Sequence, residues 1–221
     1  MTYSQFHLIF ILPPILLLAY QQPQPLAGVG GRKAWLSLLL IATVAFIYTT
    51  PWDNYLIWRN VWGYGSDRVL GAVGYVPLEE YLFFLLQPIL TGLWLYRLLA
   101  QAEAPVEDKP TVWTNLSGAL VWVGSTLAGV WLLQRDFGVY LGLILVWASP
   151  ILALQCLVGG AQLWSRRGLW LTATLVPTLY LWLCDRIAIG QGIWHISQVY
   201  TTGLNLFGLP IEEATFFLVT N

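Results

Sequence analysis

Two short stretches of this chain carry residue types that can do chemistry. PLEEYLFFLLQ (77–87) opens an otherwise apolar run with two adjacent glutamates, Glu79 and Glu80. LPIEEATFFLVTN (209–221) repeats the device with Glu212 and Glu213, 133 positions on. In each, a proline stands two residues before the acids and two phenylalanines follow, Phe83-Phe84 and Phe216-Phe217. On a helix, positions three, four and seven after Glu80 are Phe83, Phe84 and Gln87. The same steps from Glu213 reach Phe216, Phe217 and Thr220, so acid, aromatic pair and polar residue share one face. Proline and acids in a first turn also describe an ordinary helix start. That reading accounts for one copy, but not for a matched aromatic pair or a polar residue two turns in. Carboxyls crowded by like charge and stripped of water favour the neutral form, so one of a pair can donate a proton and its partner can take one back. Aromatic faces stabilise a cation formed between those steps. This is equipment for acid-initiated rearrangement of an apolar alkene. It needs no nucleotide, metal or flavin, and the chain shows no motif for any of them.

The elements that hold these acids are set by composition. Of 221 residues, 57% are hydrophobic and 10% charged. A soluble domain carries about 25% charge, so a water-exposed surface could not be covered and the chain reads as membrane-integral. The net charge is -1 and no basic patch exists, which excludes nucleic-acid binding. Cys156 and Cys184 both fall in apolar runs, without metal-type spacing or a disulfide framework. Thirteen Trp and eleven Tyr fit interfacial belts, yet 15% aromatic content leaves room for a second use. Apolar segments of spanning character lie at about 6–20, 34–50, 77–99, 112–133, 138–160 and 169–184, and a seventh starts at Pro210. Only a dozen residues of that seventh segment are present, so the expectation is a truncated last helix. The first run contains Pro13-Pro14 and lacks a basic n-region and a small-residue cleavage site, which makes it a span rather than a signal peptide.

Counted by alternating sides, Arg32, Lys33, Arg97, Lys109, Arg166 and Arg167 fall on one face of the membrane. Arg59, Arg68, Arg135 and Arg186 fall on the other, which puts the N-terminus outside a multi-pass chain in the cell membrane. AEAPVEDKP (102–110) is the one stretch that reads as a solvated linker, and the halves on either side of it repeat. Asp53 aligns with Asp185, Trp62 with Trp194 and, one inserted residue later, Pro77 with Pro210. The expected fold is all-α: a polytopic helical bundle of about seven spans built from two parallel three-helix repeats. The repeats occupy 1–100 and 138–221, and 101–137 supplies linker and connecting helix. Asp53 and Asp185 sit at matched span ends, either as loop-facing caps or as partners that hold a glutamate. Tyr81, Trp62 and Trp194 belong either to the cation site or to the interfacial belt. Gln87, followed by Pro88, is a kink device or a substrate contact. His195 reads as a structural loop residue and His7 as interfacial.

Both motifs, their order, the two aspartates and the span layout resemble the membrane-integral lycopene cyclase family, whose members occur as two small subunits or as one fused chain. The resemblance implies the fused form. It implies cyclisation of linear lycopene to β-carotene by way of γ-carotene, with no net redox change, by protonation of a terminal double bond, attack on the cation and proton loss. It makes Glu79, Glu80, Glu212 and Glu213 the acids and bases, with the assignment among them open. Phe83, Phe84, Phe216, Phe217, Tyr81 and Gln87 then stabilise substrate and cation, and Asp53 and Asp185 support. No metal site and no cofactor are expected, a reduced flavin in a non-redox role staying open. Expected partners are lycopene, membrane lipid and other carotenoid-pathway enzymes. The competing reading is a proton-coupled transporter with a paired-glutamate relay. A retinal-binding receptor is set aside, because Lys33 and Lys109 both lie in loops.

Overall fold

A computed structural model describes residues 1–22, 31–102 and 112–221. The linker expected at 102–110, Lys109 included, lies outside the described residues from 103 onward. The described chain is mostly helical. The helices are α1 (Tyr3–Tyr20), α2 (Gly31–Trp58), α3 (Leu78–Gln101), α4 (Val112–Leu132), α5 (Val139–Ser165), α6 (Arg167–Gly190) and α7 (Ile211–Thr220). Five of them, α1 to α5, are long and apolar enough to cross a membrane, α5 together with the short turn from Asp136, which makes the chain membrane-integral. Their outer faces carry exposed aliphatics such as Leu39, Leu40 and Ile47 on α2.

Among the described residues six short strands interrupt the helices: β1 (Trp62–Tyr64), β2 (Ala72–Val73), β3 (Val76–Pro77), β4 (Trp194–Ile196), β5 (Asn205–Leu206) and β6 (Leu209–Pro210). They form three antiparallel two-stranded ribbons, β1–β4, β2–β3 and β5–β6. An all-α reading leaves these out, because strands of two or three residues give no period in the sequence.

The chain divides into two compact units. One is Met1–Ala102 with Leu179–Ile196, the other Glu103–Thr178 with Ser197–Asn221. In the first unit α1, α2 and α3 pack together. Tyr96 donates from α3 to the Ala34 carbonyl at 3.0 Å, and Gln22 donates to the Leu93 carbonyl at 2.5 Å. Pro13 and Pro14 shape α1. Neither has an N–H, so helical bonding skips: the Leu12 N–H reaches back five residues to His7, and His7–Ile11 winds as a π-helix. The Phe10 carbonyl, whose helical donor would have been Pro14, accepts the Tyr180 hydroxyl at 2.6 Å.

In the second unit α4 and α5 form an antiparallel pair. Gly129 and Gly142 meet at the crossing, where a Cβ on Gly142 would lie 2.9 Å from the Gly129 carbonyl oxygen. Asn115 bridges into α5 by accepting from the Ala161 N–H at 2.7 Å and donating to the Leu157 carbonyl at 3.0 Å.

Each unit carries a tight hairpin that ends in proline and feeds a helix. In the first, Gly74 (φ 68°) turns β2 into β3. In the second, Phe207 (φ 54°) and Gly208 (φ 82°) turn β5 into β6. The positive φ values suit two-residue hairpin loops. The helix that follows is tied back alike, Leu78 N–H to the Gly71 carbonyl at 3.0 Å and Ile211 N–H to the Leu204 carbonyl at 2.9 Å.

Two sequence expectations change here. Asp53 and Asp185 do not sit at helix ends: α2 continues to Trp58 and α6 to Gly190, and both aspartates are fully buried. The helices persist past the apolar runs because these polar residues face protein rather than lipid. Nor does the His7 side chain reach the surface, being 2% exposed.

Candidate functional site

In the first unit Glu79 and Glu80 are the second and third residues of α3, which starts from the extended Pro77. A helix N-terminus is a favourable place for carboxyl groups. Glu79 Oε1 accepts from the Ser4 hydroxyl at 2.8 Å and from the Leu70 N–H at 3.0 Å. Its Oε2 is buried and has no hydrogen-bond partner among the described residues. Glu80 Oε2 accepts two phenols, Tyr3 at 2.7 Å and Tyr64 at 2.8 Å. Tyr3 is fixed at the start of α1 by its own N–H, which donates to the Arg68 carbonyl at 2.8 Å. Tyr64 is set by β1, which pairs it with Trp194 of β4. Loss of solvation, then the charges of Glu80 and Asp53, push the Tyr64 phenol well above its ordinary value of 10, so it stays a donor. Asp185 Oδ1 accepts from the Trp194 indole at 2.7 Å and lies within electrostatic range of Glu80. Aromatic rings close around these acids: Tyr3 lies 5.0 Å from Trp194 and 4.7 Å from His7, and Phe6 lies 5.2 Å from Trp194, between ring centroids.

The second unit builds the same arrangement from other residues. Glu212 and Glu213 are the second and third residues of α7, after Pro210. Glu212 Oε1 accepts from both the N–H and the hydroxyl of Thr202, at 2.7 and 2.8 Å. Its Oε2, too, is buried without a hydrogen-bond partner among the described residues. Glu213 Oε1 accepts from the Tyr140 phenol at 2.5 Å. Tyr140, near the start of α5, donates its own N–H to the Tyr200 carbonyl at 3.0 Å. Phe216 stacks on Trp147 at 6.2 Å and meets Phe217 edge-on at 5.3 Å.

The four glutamates, Phe83, Phe84, Phe216, Phe217 and Gln87 are all buried. Within the first unit Glu79, Glu80 and Asp185 come together with Phe83, whose ring lies 6.1 Å from His7. Tyr81 looks elsewhere. It packs on Phe46 of α2 at 5.6 Å, donates to the Val73 carbonyl at 2.9 Å and accepts from Asn54 at 3.2 Å. Trp194 is in the centre, as donor to Asp185, whereas Trp62 pairs across the β1–β4 ribbon with Ile196. His195 sits opposite Gly63 in the same ribbon, exposed.

Tyr3, Ser4, Tyr64, Tyr140 and Thr202 are the residues that sequence reasoning missed. One signal existed for two of them: Tyr3 stands ten residues before Pro13, and Tyr140 ten before Pro150. Among the described residues no cluster of three His, Cys, Asp or Glu is arranged to hold a metal, and both cysteines are free thiols. What the arrangement offers is duplicated: an aimed carboxyl, a second carboxyl fixed by phenol donors, and aromatic rings around them.

The lycopene cyclase family model matches residues 2–99 and 137–220 of the chain. A "Lycopene beta-cyclase" from Halobacterium salinarum is 44% identical over 220 residues, covering 100% of this chain and 91% of that protein. A "Bifunctional lycopene cyclase/phytoene synthase" from Colletotrichum graminicola is 41% identical over 99% of this chain, which spans 38% of the fungal protein. One from Sporisorium reilianum is 33% identical over 100% of this chain. No solved structure matches the chain. Matched over both glutamate pairs and over most of its length, the chain belongs to the lycopene cyclase family.

Proposed function

We propose that this chain is a lycopene β-cyclase that converts linear lycopene to β-carotene, through the one-ring γ-carotene, by acid–base chemistry inside the membrane. One observation carries the reading. In each unit the first glutamate has one oxygen clamped by an N–H and a hydroxyl and the other buried without a hydrogen-bond partner, beside a second glutamate held by tyrosine. Glu79 and Glu212 donate. The O–H bond breaks as a C–H bond forms at the terminal double bond, leaving a tertiary cation. An internal double bond attacks it and closes the ring. Glu80 and Glu213, fixed by phenol hydrogen bonds, stand as negative charge near the cation, where preorganised electrostatics act most strongly. Phe83, Phe84, Phe216 and Phe217 add their ring faces. A proton then leaves the ring as its double bond forms and returns to the pair, so each pair ends as it began. Asp53 and Asp185 support the first centre, and the reaction has no net redox change.

The proposed architecture is a seven-span bundle of two three-helix repeats, 1–100 and 138–221, about the linker and connecting helix at 101–137. It is embedded in cell-membrane lipid with the N-terminus outside. The matched hairpins, helix starts and tyrosine anchors support the repeat. Other carotenoid-pathway enzymes are proposed partners, since the fungal relative's name joins cyclase to phytoene synthase.

The test is pigment chromatography in a lycopene-accumulating bacterial host. The expected result is cyclic carotene from the wild type and only lycopene from a Glu80→Gln, Glu213→Gln double variant. A wild type that reaches the membrane and leaves lycopene untouched would overturn the reading and turn attention to proton-coupled transport through the same four glutamates.

A further inference from the structure

His7 has no part in the scheme above. Both its ring nitrogens are buried and without a hydrogen-bond partner among the described residues. Buried polar groups almost always have partners, so an imidazole with neither nitrogen engaged needs a reason. Packing accounts for the faces of the ring but not for the nitrogens: Tyr3 stacks on it at 4.7 Å, with Phe6 and Phe83 at 6.0 and 6.1 Å between ring centroids. His7 lies within electrostatic range of Glu79, the glutamate whose Oε2 is likewise buried without a partner. Geometry puts the two on one seam: Ser4, three residues before His7 in α1, donates to Glu79 at 2.8 Å, and Phe83, four residues after Glu79 in α3, lies 6.1 Å from the His7 ring, while neither group is committed to another bond at the atoms that would exchange a proton. The second unit has nothing equivalent. Four residues after Tyr140, where His7 follows Tyr3 by four, stands Ile144.

We propose that His7 is the proton carrier of the first centre. It rests on the cyclase reading and adds the group that reading leaves unassigned. The Glu79 proton passes to the terminal double bond of the polyene. After ring closure the C–H bond next to the cationic carbon breaks, and its electron pair becomes the ring double bond. The lone-pair nitrogen of neutral His7 takes that proton. The imidazolium then hands an N–H proton to the Glu79 carboxylate. No proton is gained or lost over the cycle, and no oxidant or reductant is needed.

The experiment measures ring formation from lycopene in isolated membranes, at equal amounts of inserted protein, for a Glu212→Gln parent in which only the first centre turns over, and for that parent carrying His7→Phe or His7→Ala, with wild type as the control for cyclase activity. His7→Phe keeps an aromatic ring for the Tyr3 stack and removes the base. It is expected to slow ring formation about 100-fold, the lower end of what a general base contributes. His7→Ala is expected to be as slow, and free imidazole to restore about tenfold or more of the lost rate while toluene, which fills the same hole without a basic nitrogen, restores none. A His7→Phe variant that cyclises at the rate of its Glu212→Gln parent would overturn the proposal, as would toluene rescuing His7→Ala as well as imidazole does, or imidazole leaving it slow. A wild type that forms no cyclic carotene would overturn the cyclase reading and this inference together. An active wild type indifferent to His7 would sink the inference alone.

Discussion

Removing one oxygen atom tests how the second glutamates work. In Tyr3→Phe the ring and its packing stay. Tyr3 is 2% exposed, and its contacts with His7, Phe6, Tyr64 and Trp194, at centroid distances of 4.7 to 6.0 Å, do not involve the hydroxyl. What goes is the 2.7 Å bond to Glu80 Oε2. A hydrogen bond to a charged group contributes about 1.5–3 kcal/mol. If that bond serves to hold charge opposite the cation, the loss falls on the barrier, and each 1.36 kcal/mol is tenfold, so ring formation should slow about 10- to 150-fold. Tyr64 still donates to the same oxygen at 2.8 Å, which keeps the single variant measurable. The Tyr3→Phe, Tyr64→Phe double variant strips Oε2 of both phenols and should lose more than the two single losses combined, because partners of one acceptor do not act independently. The assay is the initial rate of cyclic carotene formation in membranes, normalised to inserted protein, with Glu212→Gln present in every variant and in the wild-type reference so that only the first centre turns over, and with melting temperature in detergent as the control for folding. If Tyr3→Phe cyclises within about threefold of wild type, a barrier change of about 0.65 kcal/mol, the phenol does not position the charge that matters and the reasoning fails.

Other outcomes follow from single contacts. Trp194→Phe removes the 2.7 Å indole donor to the buried Asp185 and should cost about 1.5–3 kcal/mol of stability, read as a lowered melting temperature; an unchanged melting curve would show that Asp185 has another sufficient donor. Gly65→Ala would set a Cβ 2.2 Å from the Gly192 carbonyl oxygen, next to the β1–β4 ribbon that places Tyr64 and Trp194. It should destabilise by about 2–3 kcal/mol, and a fully stable variant would contradict the close approach. The Tyr64 phenol is raised in the folded protein, so its hydrogen bond and the stability it gives are present below the ordinary value of 10 and are lost only as pH rises through the higher folded value. Phenolate absorbance, wild type minus Tyr64→Phe, should therefore show no ionisation at pH 10; titration there would place Tyr64 in water.

The glutamates and phenylalanines were readable from sequence because the motif occurs twice with one register. Random charge at a helix start does not reproduce an aromatic pair. The tyrosines that anchor Glu80 and Glu213 were not readable in the same way. A lone Tyr at the edge of an apolar run has the same composition signal as an interfacial anchor, and only the shared ten-residue step to Pro13 and Pro150 marked Tyr3 and Tyr140. Asp53 and Asp185 were found but misplaced: hydropathy falls where polar residues enter, whereas the helices run on because those residues face inward. The ribbons had no period to find. The burial of His7 was hidden for a related reason, since its four-residue offset from Tyr3 acquires meaning only once Tyr3 is known to face Glu80.

The first glutamates are held alike by unlike residues. For Glu79 the hydroxyl comes from Ser4 in α1 and the N–H from Leu70 in the connection before β2; for Glu212 both come from Thr202, in the connection before β5. The donors differ in residue and in element, yet the result at the oxygen is the same. The requirement therefore lies on where Oε1 sits, not on which residue donates. Since both partners donate, Oε1 acts only as acceptor, and the proton of a neutral carboxylic acid must stand on Oε2. An alkene offers no hydrogen bond with which to orient an acid, so the protein has to aim the proton itself. Ser4→Ala is the direct check. It leaves the Leu70 N–H as the remaining clamp and removes the donor that fixes the carboxyl's rotation, so with the second centre silenced by Glu212→Gln it should slow ring formation roughly tenfold for a bond of about 1–1.5 kcal/mol while leaving the ring type of the product unchanged. A change of ring type instead would mean that Ser4 governs which proton leaves the cation, and Glu79 would then be acting at the end of the reaction rather than at its start.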